Sequence, residues 1–207
     1  MTVEPLFSRG TPPDPRAASP EVEAKVVEGA LRAIARFGLA KLTVDDVARE
    51  AGISRATLYR YFPGRGAVLA AVIHAETERL ERGLDEALAE ATTLAEALAA
   101  VAGFGARAFA GHEALQHLLA NEPGAVLPHL CFTGADSLLT VCADRIRPHL
   151  CRFMGPLQAR RTGEWLARIV LSYGLAPPPD GRIEDAVLGV VREFVVTREP
   201  PEVDPLA

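Results

Sequence analysis

The run TVDDVAREAGISRATLYRYF, residues 43–62, restricts the fold more than any other part of the chain. Thr43-x-x-Asp46 is a near capping box, with Asp in place of the usual Glu, and opens a short helix that ends near Ala51-Gly52. Ser54 caps the next helix, which runs to about Phe62 before Pro63-Gly64 breaks it. Two helices joined by so tight a turn must cross closely. Ala48 is small where the second helix crosses, and Gly52 tolerates the positive φ the turn needs. Val47, Ala51, Ile53, Leu58 and Tyr61 are placed to seal the pair against a preceding helix. The pattern predicts a helix-turn-helix; the alternative is an ordinary helical hairpin.

The rest of the chain is helical too. Val, Ile, Thr and Tyr never alternate over a strand-length window, whereas a period of about 3.6 residues recurs throughout. Ser19 and Pro20 start a helix that carries Val22, Val26, Ala30, Ile34 and Phe37 on one stripe and stops at Gly38. A long helix is expected from about Gly66 to Glu90, with Leu69, Val72, Ile73, Leu80, Leu84 and Leu88 inward. Thr93-x-x-Glu96 is a capping box for a helix through about Phe109, and a short helix covers His112–Leu119. Asn121-Glu122-Pro123-Gly124 reads as a turn, and a helix from about 134 to 154 is expected to kink or break before Pro148. Helices over about 156–174 and 183–198 complete the set. The expectation is an all-α chain of about nine helices, three short ones in front of a larger body.

Proline marks the ends. The stretches MTVEPLFSRGTPPDPRAASP and EPPEVDPLA lack a period and read as flexible. The expected division is a flexible arm over 1–18, a helix-turn-helix domain over 19–65, a body over 66–198 and a flexible tail over 199–207. No run of 18 or more apolar residues occurs, and the N-terminus lacks a basic-then-apolar export signal. Cys131, Cys142 and Cys151 form no C-x-x-C pair and read as small buried hydrophobes of a cytoplasmic protein.

The formal net charge of −5 argues against a general nucleic-acid coat protein, yet charge is unevenly spread. Lys41, Arg49, Arg55, Arg60 and Arg65 outnumber Asp45, Asp46 and Glu50 across the helix-turn-helix, and residues 54–65 contain no acid. The following helix is anionic, with Glu76, Glu78, Glu81, Asp85, Glu86 and Glu90 against Arg79 and Arg82. Cations therefore gather where a recognition helix meets DNA. Such a helix clamps phosphates with Arg, Ser, Thr and Tyr and reads bases from its N-terminal half. Arg55 can pair bidentately with guanine, or it can hold a phosphate.

The run LTVDDVAREAGISRATLYRYFPGR, followed by AVLAAVIHAETERL, resembles the DNA-binding domain of the TetR/AcrR family of one-component regulators over about residues 20–70. The resemblance implies an all-helical homodimer that represses transcription and leaves double-stranded operator DNA when a small effector fills its C-terminal body. Carried over residue by residue, it puts Thr43 on a phosphate, Ser54, Arg55 and Thr57 toward the groove, and Tyr59 and Tyr61 on phosphates. Arg65 stands where the family usually has a phosphate-binding lysine. Gly66 replaces the acid common after it, which weakens that helix start. Arg60 is a flank or phosphate contact. The stretch from Leu119 to Leu130 also resembles a subgroup that includes a regulator of γ-lactone breakdown.

The body is rich in Ala, Leu and Val, so a largely apolar cavity is expected. Its candidate ligand-orienting groups are His112, His117, Asn121, His129, Trp165 and Tyr173, each of which has an ordinary role as surface, core or interface residue. Leu157, Leu166, Ile169, Val170, Val187, Val190, Val191 and Phe194 either pair with a second copy as a four-helix bundle or pack within one subunit. The five histidines show no metal-ligand spacing, and no phosphate loop or nucleophile elbow occurs. No catalytic residue, metal or cofactor is expected. The other reading is an all-helical small-molecule-binding protein whose front domain has lost DNA contact.

Overall fold

The computed structural model describes residues 18–131, 138–179 and 182–193. Among them are ten α-helices: α1 (Pro20–Phe37), α2 (Val44–Ala51), α3 (Arg55–Tyr61), α4 (Arg65–Leu88), α5 (Leu94–Ala110), α6 (Glu113–Asn121), α7 (Pro123–Cys131), α8 (Leu138–Leu150), α9 (Pro156–Leu175) and α10 (Ile183–Val191). The described residues are all-α. The arm over 1–17, the tail over 199–207 and Phe194 lie outside them, as does the expected continuation of the last helix to 198.

Local signals set most helix ends. Ser19 accepts a hydrogen bond from the Val22 N–H at 3.4 Å, and Pro20 takes the first helical position, where no amide donor is needed. Both capping boxes form, Thr43 with Asp46 and Thr93 with Glu96. Gly52 ends α2 in the left-handed region at φ 66°. Arg65, a residue earlier than expected, begins α4 behind Gly64 with no side-chain cap.

Three differences separate the structure from the sequence expectation. The described residues hold ten helices where nine were expected of the chain, because the Asn121–Gly124 turn is only a joint: Pro123 opens α7, a position proline tolerates. Pro148 does not break α8 ahead of itself, since it sits in the last turn and the helix ends at Leu150. His112 precedes α6 rather than lying inside it; its ring Nδ1 accepts the Leu115 N–H at 3.1 Å.

Two main cores organise the helices. The front core gathers Val26, Ala30 and Ile34 of α1, Val47 and Ala48 of α2, Leu58 of α3 and Val68 and Val72 of α4. Ala114 and Leu118 of α6 belong to it as well, so packing crosses the 65/66 division expected from sequence. The body core holds Leu84 and Leu88 of α4, Leu98 and Val101 of α5, Ile146 and Leu150 of α8, and Leu166, Val170, Val187 and Val191. Those last four therefore face their own subunit's interior rather than a second copy. Leu157 of α9 is 65% exposed, and Leu175 is exposed as well. Cys142 packs against the body core, and burial pushes its thiol up to about 12. No single helix among the described residues is long and apolar enough to cross a membrane.

Candidate nucleic-acid interface

One close approach sets how the front helices cross. Gly29, in the middle of α1, faces Ala51 at the end of α2; a Cβ there would lie 2.6 Å from the Ala51 nitrogen. Contact between backbones fixes the α1–α2 crossing, and only glycine leaves room for it. Arg32 adds a hydrogen bond to the Glu50 carbonyl at 2.6 Å. Sequence reasoning missed Gly29, although an isolated glycine inside a helical stripe is a recognised packing signal.

On this frame Leu58 points inward and is fully buried, which turns the other face of α3 outward. Ser54, Arg55, Tyr59 and Arg60 are exposed, and Thr57 and Tyr61 are half-buried. Tyr59 is 49% exposed, a large aromatic surface for a seven-residue helix with no acidic residue of its own. Ser54 Oγ accepts the Thr57 N–H at 3.0 Å and lies 2.8 Å from the Thr57 hydroxyl. These two groove candidates thus also hold the start of α3. Arg60 stacks on the Tyr61 ring, 4.5 Å from its centroid, and donates to the Tyr61 hydroxyl at 2.7 Å. Arg65 donates to the Leu39 carbonyl at 2.6 Å and anchors the α1–α2 loop.

Thr43 is exposed at the start of α2, with its hydroxyl engaged by Asp46. The Thr43 hydroxyl, and next the Arg49 guanidinium, hold the Asp46 carboxyl below its ordinary value. Asp45, which sequence reasoning left without a role, forms an ion pair with Arg55 at 2.5 Å. The structure therefore brings Ser54, Arg55, Thr57, Tyr59, Arg60 and Tyr61 together on α3, with Thr43 at the neighbouring helix end and Arg65 behind the loop.

The described ligand candidates do not converge. His112 meets Glu76 of α4 at 3.1 Å, and this hydrogen bond holds the Glu76 carboxyl below its usual range. His117 lies near Gly38, and Asn121 donates to the His117 carbonyl at 2.9 Å. Trp165 and Tyr173 pack against the body core. His129 falls in α7, and its side chain lies outside the described residues. A cleft of about 310 Å³ opens between α5 and the start of α10, and Arg107, Arg182, Glu184 and Asp185 make its rim charged. None of the five described candidates lines it.

Residues 26–72 match the family described as bacterial regulatory proteins, tetR family. The chain is 27% identical over 172 residues to an HTH-type transcriptional regulator of Mycobacterium tuberculosis H37Rv, Rv1255c, covering 83% of this chain and 82% of that one. The solved fold of the fatty acid degradation regulator FadR from Bacillus halodurans matches with a TM-score of 0.63 at 17% identity, over 87% of this chain and 99% of that one. The TetR family repressor AlkX from Dietzia sp. matches with a TM-score of 0.58 at 22% identity, over 84% and 93%. The front helices thus carry a helix-turn-helix domain of the tetR family, and the fold of the chain is the one shared by solved TetR-family regulators.

Proposed function

We propose that this chain is a cytoplasmic repressor that binds a palindromic operator as a homodimer and is released by a small, largely apolar effector. The outward face of α3 carries the reading: Arg55, Tyr59 and Arg60 stand exposed on a helix with no acid, while Leu58 anchors it from behind. In this reading the head over residues 19–65 docks α3 in the major groove. Arg55 reads a base, while Thr43, Tyr59, Arg60, Tyr61 and Arg65 serve the phosphates and Ser54 and Thr57 flank the groove.

A second copy places two recognition helices roughly 34 Å apart, one DNA turn. The outward residues of α9, among them Leu157 and Leu175, are apolar surface available to such a pairing. The body over residues 66–198 senses the effector. An apolar effector agrees with the n-alkane and fatty acid connections of AlkX and FadR, whose fold this chain shares. A tenfold loss of DNA affinity requires only about 1.4 kcal/mol of coupling between the two sites. That coupling has a route along α4, which meets the body through Glu76–His112 at 3.1 Å and Asp85–His149 at 2.9 Å.

A mobility shift with the intergenic DNA beside its own gene tests this reading. The expected result is a palindrome-dependent band that weakens with added salt. Failure to bind any genomic fragment would overturn it, and a monomer at micromolar concentration in analytical ultracentrifugation would remove the dimer.

A further inference from the structure

Arg55 and Asp45 meet across the turn of the helix-turn-helix. Arg55 is the first residue of α3, Asp45 sits in the first turn of α2, and Arg55 Nε lies 2.5 Å from Asp45 Oδ1. Asp45 Oδ1 is shielded from solvent and has no well-aligned hydrogen bond among the described residues. The guanidinium is the cation that answers its charge. The Arg55 side chain is nevertheless 67% exposed, and no other partner engages it among the described residues.

We infer that Asp45 is a specificity-determining positioning residue, whose ion pair beside Nε restrains the Arg55 guanidinium and leaves its Nη1–Nη2 edge for a guanine. A guanidinium is a planar fork whose parallel N–H groups match guanine O6 and N7. Free in solvent, such a side chain loses its rotational freedom only when it binds; paired with the Asp45 carboxylate, it has lost part of that freedom beforehand. Asp45 also acts with the opposite sign, because its negative charge opposes phosphates whatever the sequence. It therefore lowers binding to arbitrary DNA while raising discrimination at one base pair. A residue that merely supports the fold moves both quantities in the same direction.

This inference rests on the reading of Arg55 as a base contact, and the test separates the two. The full chain selects duplexes from a random pool, and affinities are then measured for every single-base-pair variant of the selected site. Arg55→Ala is expected to cut discrimination at one base pair per half-site by roughly 5- to 150-fold. Asp45→Asn keeps the shape and removes the charge; it is expected to cut discrimination at that same base pair by about two- to fivefold. Affinity for unrelated duplexes holds or rises. In an Arg55→Ala background, which leaves no guanidinium to position, Asp45→Asn has no further effect at that base pair. Asp45→Ser repeats the measurement should the first variant melt early.

An Asp45→Asn protein that loses affinity for all duplexes alike, or keeps full discrimination, overturns the role of Asp45 and leaves that of Arg55 standing. An Arg55→Ala protein that loses affinity evenly across sequences overturns the base contact, and the inference falls with it.

Discussion

The Glu122 carboxylate accepts a hydrogen bond from the Ala40 backbone N–H at 2.9 Å, across 82 residues of sequence. The joint between α6 and α7 is thereby fastened to the loop between α1 and α2. Arg65 holds the neighbouring carbonyl of Leu39 from the α4 side. Glu122→Ala leaves the Ala40 amide to water. The expected cost is about 1 kcal/mol of stability, and hydrogen exchange at residues 38–42 should quicken while the interior of α5 stays protected. Unchanged exchange in that loop would show that the bond does not hold it.

Gly29→Ala tests the close approach of α1 to α2. The added methyl meets backbone atoms of Ala51, which cannot swing aside as a side-chain end can. Overpacking of this kind costs roughly 1–3 kcal/mol. Urea unfolding should record that loss, and DNA binding should weaken with it. A neutral substitution would mean that the α1–α2 crossing is looser than the structure has it.

Acid should loosen the grip of α4 on the body. Hydrogen bonds from His112 to Glu76 and from His149 to Asp85, the latter followed by one from Arg145, hold both carboxyls below their ordinary values. A carboxyl lowered in the folded state binds its proton more readily when unfolded. Its contribution is complete above the unfolded value near pH 4 and disappears as pH falls through the lower folded value. The urea midpoint should therefore drop below about pH 4, and Glu76→Gln should flatten that slope. A slope untouched in the Gln variant would place the acid sensitivity elsewhere.

Arg60 differs from Arg55 in what its loss should do. It is stacked on Tyr61 and bonded to that hydroxyl, on the flank of α3. Arg60→Ala should weaken all duplexes by a similar factor and reduce the salt slope of binding by about one. Sequence-dependent loss would instead make Arg60 a base reader.

What the sequence disclosed followed the range of each interaction. Ser19, the Thr43–Asp46 and Thr93–Glu96 boxes and Gly52 act within a few residues, so their spacing alone announced them. Leu58 and Val47 were legible as inward because periodicity reports a buried face. Periodicity does not report whose interior that face meets, and Leu166 and Val187 proved to face their own subunit's core. Pro123 looked like a break because proline stops a helix from behind and starts one equally well. Ala40–Glu122, Asp45–Arg55 and the seating of α6 against α1 depend on where the chain returns in space. No local pattern encodes them.

The backbone contact between Gly29 and Ala51 also bears on how a message can travel. Where Gly29 meets Ala51 no long side chain stands between the helices, so no rotamer change there can widen the gap. Under the proposed function the front helices travel together as one solid key. The release by an effector that we propose then acts on the angle of that key, through α4, α6 and their fastenings on the body.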